Sequence, residues 1–143
     1  MELEYFDRVS CVKKLYARAL EPVCARWELT RNEMDVLLFL YNNPQFDRAA
    51  DIVTHRGIAK SHVSLAVQSL EARGYLQRET EHSDRRTVHL RLTQAAAAAA
   101  DAGREVQQRF FGQLFDGLTD REAALWQAVQ DKIGSNIKKM EEN

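Results

Sequence analysis

The sequence predicts a mainly α protein with a small β-wing: a winged helix-turn-helix flanked by N- and C-terminal helices that form a dimerisation domain. Two observations in residues 49–92 predict it, and one outside them extends it. A short helix, a turn at Gly57 and a second helix run from Ala49 to Gly74. Two short alternating segments, Leu76–Thr80 and Val88–Leu92, then flank a polar loop ending in Arg85-Arg86, as expected for a half-buried hairpin. The flanks carry long apolar stripes with little of their own chain to cover. These features divide the chain into an N-terminal dimerisation helix (1–29), the winged helix-turn-helix (30–93) and C-terminal dimerisation helices (94–143).

From the N-terminus, Phe6, Val9, Val12, Tyr16, Leu20 and Val23 recur at helical spacing from Leu3 to about Trp27. Pro22 lacks an N–H and crowds the preceding turn, so a kink or break is expected near Ala19–Glu21. Thr30-Arg31-Asn32-Glu33 matches a capping box, starting a helix through Met34, Leu37, Leu38 and Tyr41 that Asn43-Pro44 ends. Asp47 is the expected N-cap of the next helix, with Ile52 and Val53 buried. Gly57 and Gly74 suit left-handed helix ends.

The helix between those glycines is the informative one. Val63, Ala66, Val67 and Leu70 share one face. The other face presents Ser61, His62, Ser64, Leu65, Gln68 and Ser69, beginning beside Lys60 and without an acid until Glu71. Hydroxyls bond base edges or phosphates, Gln pairs with adenine, and Leu can touch a thymine methyl. In the wing, Arg85 and Arg86 suit a minor groove. Asp84 repels phosphate, so its expected role is structural, holding one arginine as a bidentate pair.

Thr93 caps a further helix holding six consecutive alanines, Ala95–Ala100, which favour helix and close approach. The pattern runs on through Val106, Phe110, Phe111, Leu114 and Phe115. A second capping box, Thr119–Glu122, starts a last helix bearing Leu125, Val129, Ile133 and Ile137. The apolar stripes of the terminal helices exceed what one winged core can cover, so a two-fold homodimer is expected.

The 143 residues carry a formal charge of −1, but residues 56–91 hold seven Lys/Arg against four acids, a basic centre that suits double-stranded DNA. No apolar run approaches the ~18 residues of a membrane span and Met1–Glu4 is no signal peptide, so a cytoplasmic protein is expected, with no membrane partner. Cys11 and Cys24 lie too far apart on one helix to bridge. The chain holds no phosphate-binding glycine loop, nucleophile elbow or zinc-protease pattern, and the four histidines (55, 62, 82, 89) lack tight metal spacing. Neither an enzyme nor a cofactor is expected.

The whole chain resembles the MarR family of bacterial regulators: in the helical arms, in Ala50-Asp51-Ile52-Val53, in Lys60-Ser61-His62-Val63-Ser64, in Leu70-Glu71-Ala72-Arg73-Gly74-Tyr75-Leu76, in Asp84-Arg85-Arg86 and in Leu92-Thr93. The sequence departs from the family habit at Ala59, where a Ser cap is usual, and at Leu65, where Arg or Lys is common. An alanine also replaces the glycine that often follows the post-wing Thr. The resemblance implies a homodimeric repressor or activator on a pseudo-palindromic operator, often released by a small-molecule effector or by thiol oxidation. A pocket of the family kind would draw on Tyr16, Trp27, Tyr41 and His55; a redox sensor of the family kind would use Cys11. The reading from a different class is a winged-helix protein-interaction module that does not bind DNA.

Overall fold

The computed structural model describes residues 1–143. Its elements are α1 (Glu2–Arg26), α2 (Arg31–Asn42), α3 (Ala49–Arg56), α4 (Lys60–Ala72), β1 (Leu76–Thr80), β2 (Val88–Leu92), a single 3₁₀ turn (Gln94–Ala96), α5 (Ala97–Leu114) and α6 (Asp120–Glu141). The two strands pair antiparallel, Leu76 opposite Leu92 and Thr80 opposite Val88. The chain divides into two compact units, Met1–Gln108 and Arg109–Asn143.

In the first unit, α2 is the central element. Met34, Val36, Leu37, Leu38, Phe39 and Leu40 are all buried, because α1, α4 and β2 pack around it. α4 lays Val63, Ala66, Val67 and Leu70 into this core as the spacing predicts. The alanines do what their size allows: Ala96, Ala99 and Ala100 are buried. At Gly103 an added Cβ would lie 2.9 Å from Met34 Sδ and 3.0 Å from Leu38, so α5 approaches α2 as closely as side chains permit.

Four local expectations are corrected. α1 is continuous through Pro22 rather than broken, since a proline forfeits one backbone bond and the rest of a 25-residue helix keeps the chain helical. The N-cap of α3 is Arg48, whose N–H donates to Asp51 Oδ2 at 3.1 Å; Asp47 is drawn off by β2. The first capping box forms by half: Glu33 N–H donates to Thr30 Oγ1 at 3.1 Å, while the Glu33 carboxylate is buried and turned toward Arg73, 3.8 Å away. Val53 is half-buried rather than buried. Gly57 and Gly74 take the left-handed conformation, at φ 63° and 76°.

In the second unit, the end of α5 turns through Gly117 (φ 79°) into α6. The Thr119 box is complete, with Thr119 N–H donating to Glu122 Oε2 at 2.8 Å and Glu122 N–H to Thr119 Oγ1 at 3.3 Å. Phe115 lies 6.3 Å from Phe111 and 6.0 Å from Trp126, ring centre to ring centre. No residue of α6 is buried.

Candidate nucleic-acid interface

The outward face of α4 is free. Lys60, Ser61, His62, Ser64, Leu65 and Gln68 are exposed, and none of their side chains has a hydrogen-bond or ion-pair partner within the chain; Ser69, at the rim, is half-buried. Leu65 is 63% exposed, a large apolar group that the fold itself does not use. Ala59 caps the helix without a side-chain bond.

The wing loop owes its shape to Asp84, though not through a guanidinium. Its Oδ1 accepts the Arg86 N–H at 3.0 Å and its Oδ2 the Thr87 hydroxyl at 2.9 Å. These two bonds hold its carboxyl below the usual range. A short carboxylate reaches backbone two residues on more readily than it reaches a mobile neighbouring arginine. Arg85 and Arg86 are left exposed and unpaired.

The positive charge of this region is therefore unevenly available. Arg78 pairs with Glu71 at 2.9 Å, and Arg91 pairs with Asp47 at 2.6 Å and with Glu79 at 3.3 Å. Arg73 donates to the carbonyls of Trp27 and Glu28, each at 2.6 Å, closing the C-terminal end of α1. Arg56 lies over the Phe39 ring. Of the seven cations in residues 56–91, those whose side chains have no partner are Lys60, at the start of α4, and Arg85 and Arg86, at the wing tip. A carboxylate neutralises an arginine locally, so the field outside is set by the unpaired three.

Sequence reasoning missed the group that ties the wing to the rest. Asp47 reaches His89 and Arg91 on β2, and its carbonyl accepts the Leu90 N–H at 2.7 Å. Partial burial pushes the Asp47 carboxyl up, but the bonds from His89 and Arg91 outweigh it and hold it below the usual range. The contact spans 42 residues of chain, so no local spacing announces it. The available signal was the off-core face of the hairpin, where Glu79, Glu81, His89 and Arg91 alternate as complementary charges.

The four pocket candidates make different contacts. Tyr41 lines a half-open cavity of about 240 Å³ together with Leu92, Thr93, Gln94 and the alanines of early α5, and its hydroxyl donates to Asp101. Tyr16 accepts from Gln107 Nε2 at 2.7 Å under Arg31, and burial pushes its hydroxyl pKa up. Trp27 is half-buried with its indole N–H unpaired. His55 is exposed and packs on Phe46, 4.6 Å between ring centres. Cys11 is exposed and Cys24 buried, both free; burial pushes the Cys24 thiol up. No cluster of metal-binding side chains exists, and no helix is long and apolar enough to cross a membrane.

Residues 27–87 match the model of the MarR family. An uncharacterised HTH-type transcriptional regulator of Bacillus subtilis, YwhA, is 29% identical over 83 residues, 58% of this chain; the chain spans 60% of the length of that curated relative. Among solved structures, the S. aureus MepR–DNA complex is similar at a TM-score of 0.75 and 18% identity, covering 96% of both chains. BpsR of Bordetella bronchiseptica, studied for regulation of its DNA binding by 6-hydroxynicotinic acid, is similar at 0.68 and 20% identity, covering 94% of this chain and 99% of its own. At these identities the solved structures establish the winged-helix fold. What this chain shares with the MarR family of transcriptional regulators by sequence is its winged core, residues 27–87.

Proposed function

We propose that the chain is a cytoplasmic, homodimeric, sequence-specific regulator of transcription that binds a pseudo-palindromic operator in double-stranded DNA and represses until a small-molecule effector releases it. One observation carries the DNA reading: an unpaired polar face on α4 is accompanied by unpaired cations at its own start and at the wing tip, held out by a fold with no structural use for them. In this reading Ser61, His62, Ser64, Leu65 and Gln68 meet base edges in the major groove, Lys60 a phosphate, and Arg85 or Arg86 the flanking minor groove, with Asp84 shaping the loop. Hydroxyls, an amide and a leucine favour A·T-rich contacts. The relative MepR, complexed with DNA, supports the reading.

Dimerisation is supported by apolar faces left open in the single chain: Tyr5, Phe6 and Val9 on α1, and Leu125, Trp126, Val129 and Ile137 on α6 are all exposed. Effector control is supported by BpsR, whose DNA binding is regulated by 6-hydroxynicotinic acid, and by the cavity beside Tyr41.

Selection of bound duplexes from a genomic fragment pool tests the function. Two half-sites about 34–36 Å apart, one helical turn, are expected. Gln68→Ala should relax one position in each half-site at a cost of about 1–3 kcal/mol. A pool that shows no enrichment at any salt concentration, with the dimer intact, would favour the protein-interaction module instead.

A further inference from the structure

The off-core face of β2 carries a charge cluster that contact with DNA does not explain. His89 is at its centre, its side chain 17% exposed, with Nδ1 2.8 Å from Asp47 Oδ1 and Nε2 2.6 Å from Glu81 Oε1. An ionised carboxylate only accepts, so each contact needs a ring N–H, and only imidazolium has two. The other charged groups facing the ring are Glu79, directly opposite it in the strand register, and Arg91, which bonds Asp47 and Glu79. Three carboxylates thus share a single guanidinium unless the ring is charged. The bonds to Asp47 and then to Glu81 raise the His89 pKa above its ordinary value.

The ring joins two segments that a DNA-bound wing must hold in register. Asp47 leads into α3, the first helix of the helix-turn-helix, and Glu81 opens the loop that ends in Arg85-Arg86. We propose that His89 is a proton-operated positioning residue for the wing: as imidazolium it ties Glu81 to Asp47, and on giving one proton to solvent it keeps one carboxylate and releases the other. Because folding raises its pKa, the stabilisation is fully present below the unfolded value of about 6.5 and is lost as pH rises through the higher folded value. The wing is fastened in mild acid and loosened in mild alkali. The latch is a property of the chain by itself; its effect on affinity for DNA rests on the function proposed above.

The test reads the latch without DNA first, on the full chain. Ring titration of His89 by NMR should lie above the ordinary histidine value. Exchange protection of the Thr87 and Leu90 amides, corrected for intrinsic rates, should fall about threefold to fivefold between about pH 5.5 and about pH 8.5, the range of a partly exposed ion pair. His89→Gln should make that protection independent of pH. Glu81→Gln, a change at a side chain that is 42% exposed, should move the ring titration down and shrink the pH dependence even if His89→Gln folds poorly. A ring that titrates at or below its ordinary value, or a Glu81→Gln protein whose protection follows pH as wild type does, overturns the latch. DNA affinity is then compared at each pH between wild type and His89→Gln, so that contributions from the other imidazoles of the candidate interface, His62 and His82, cancel. The ratio of wild-type to His89→Gln affinity should fall about threefold to fivefold across the same range. Equal pH dependence with and without His89 overturns the coupling to DNA. A chain that binds no DNA at any pH overturns the proposed function, and the exchange data still decide the latch.

Discussion

α2 and α6 begin alike and end differently. Each starts at a threonine whose hydroxyl accepts the N–H of a glutamate three residues on, and each carries apolar residues at helical spacing. α2 buries seven residues and α6 none. The difference lies in the surroundings: α2 is wrapped by α1, α4 and β2, whereas Leu125, Trp126, Val129, Ile137 and Met140 on α6 stay exposed. An amphipathic pattern states that a face will be covered; whether by its own chain or a second copy depends on what else the chain supplies.

Substitutions can break this contrast from either side. The largest effect is expected at Leu70, fully buried in α4 against the α2 core: Leu70→Ala should cost about 2–5 kcal/mol in urea unfolding. Gly103→Ala should cost about 1–3 kcal/mol by the same measurement, because its Cβ meets Met34 and Leu38 at 3.0 Å or less. Val129→Glu on α6 should weaken the proposed dimer at least about tenfold by sedimentation, since it sets a charge in an apolar contact, while the stability of residues 1–108 changes by less than about 0.5 kcal/mol. Gly112→Ala meets nothing within 4 Å and should stabilise α5 by about 0.5–1 kcal/mol through helix propensity. Opposite signs at Gly103 and Gly112 separate close packing from an open face; a destabilising Gly112→Ala would mean that a neighbouring molecule lies against it.

Much of the architecture was legible in the sequence because its determinants are local. The strands fall where alternation puts them, 76–80 and 88–92, and the inner face of α4 is the predicted one. What was not legible involves residues far apart in the chain. Asp47 reads as an N-cap until β2 is folded beside it; its carboxylate then meets His89 and Arg91, and Arg48 takes over the cap. Arg73, Arg78 and Arg91 count as free charge in a sequence and are paired in the fold. The wing aspartate was expected to hold a guanidinium, but its bonds go to the Arg86 N–H and the Thr87 hydroxyl, a choice of partner that residue identity alone leaves open. Sequence-based charge counting therefore overstated the breadth of the basic surface and understated how sharply it concentrates at Lys60, Arg85 and Arg86.

That concentration gives the most direct test of DNA binding through the wing. Affinity for a duplex enriched from the genomic pool is measured against salt for wild type and for Arg86→Ala. Wild type should weaken steeply with salt as phosphate contacts release counterions, and Arg86→Ala should bind strongly less well with a slope shallower by about one phosphate contact per chain, roughly two for a dimer. An Arg86→Ala protein with unchanged affinity and unchanged salt slope would contradict the assignment of the wing to DNA.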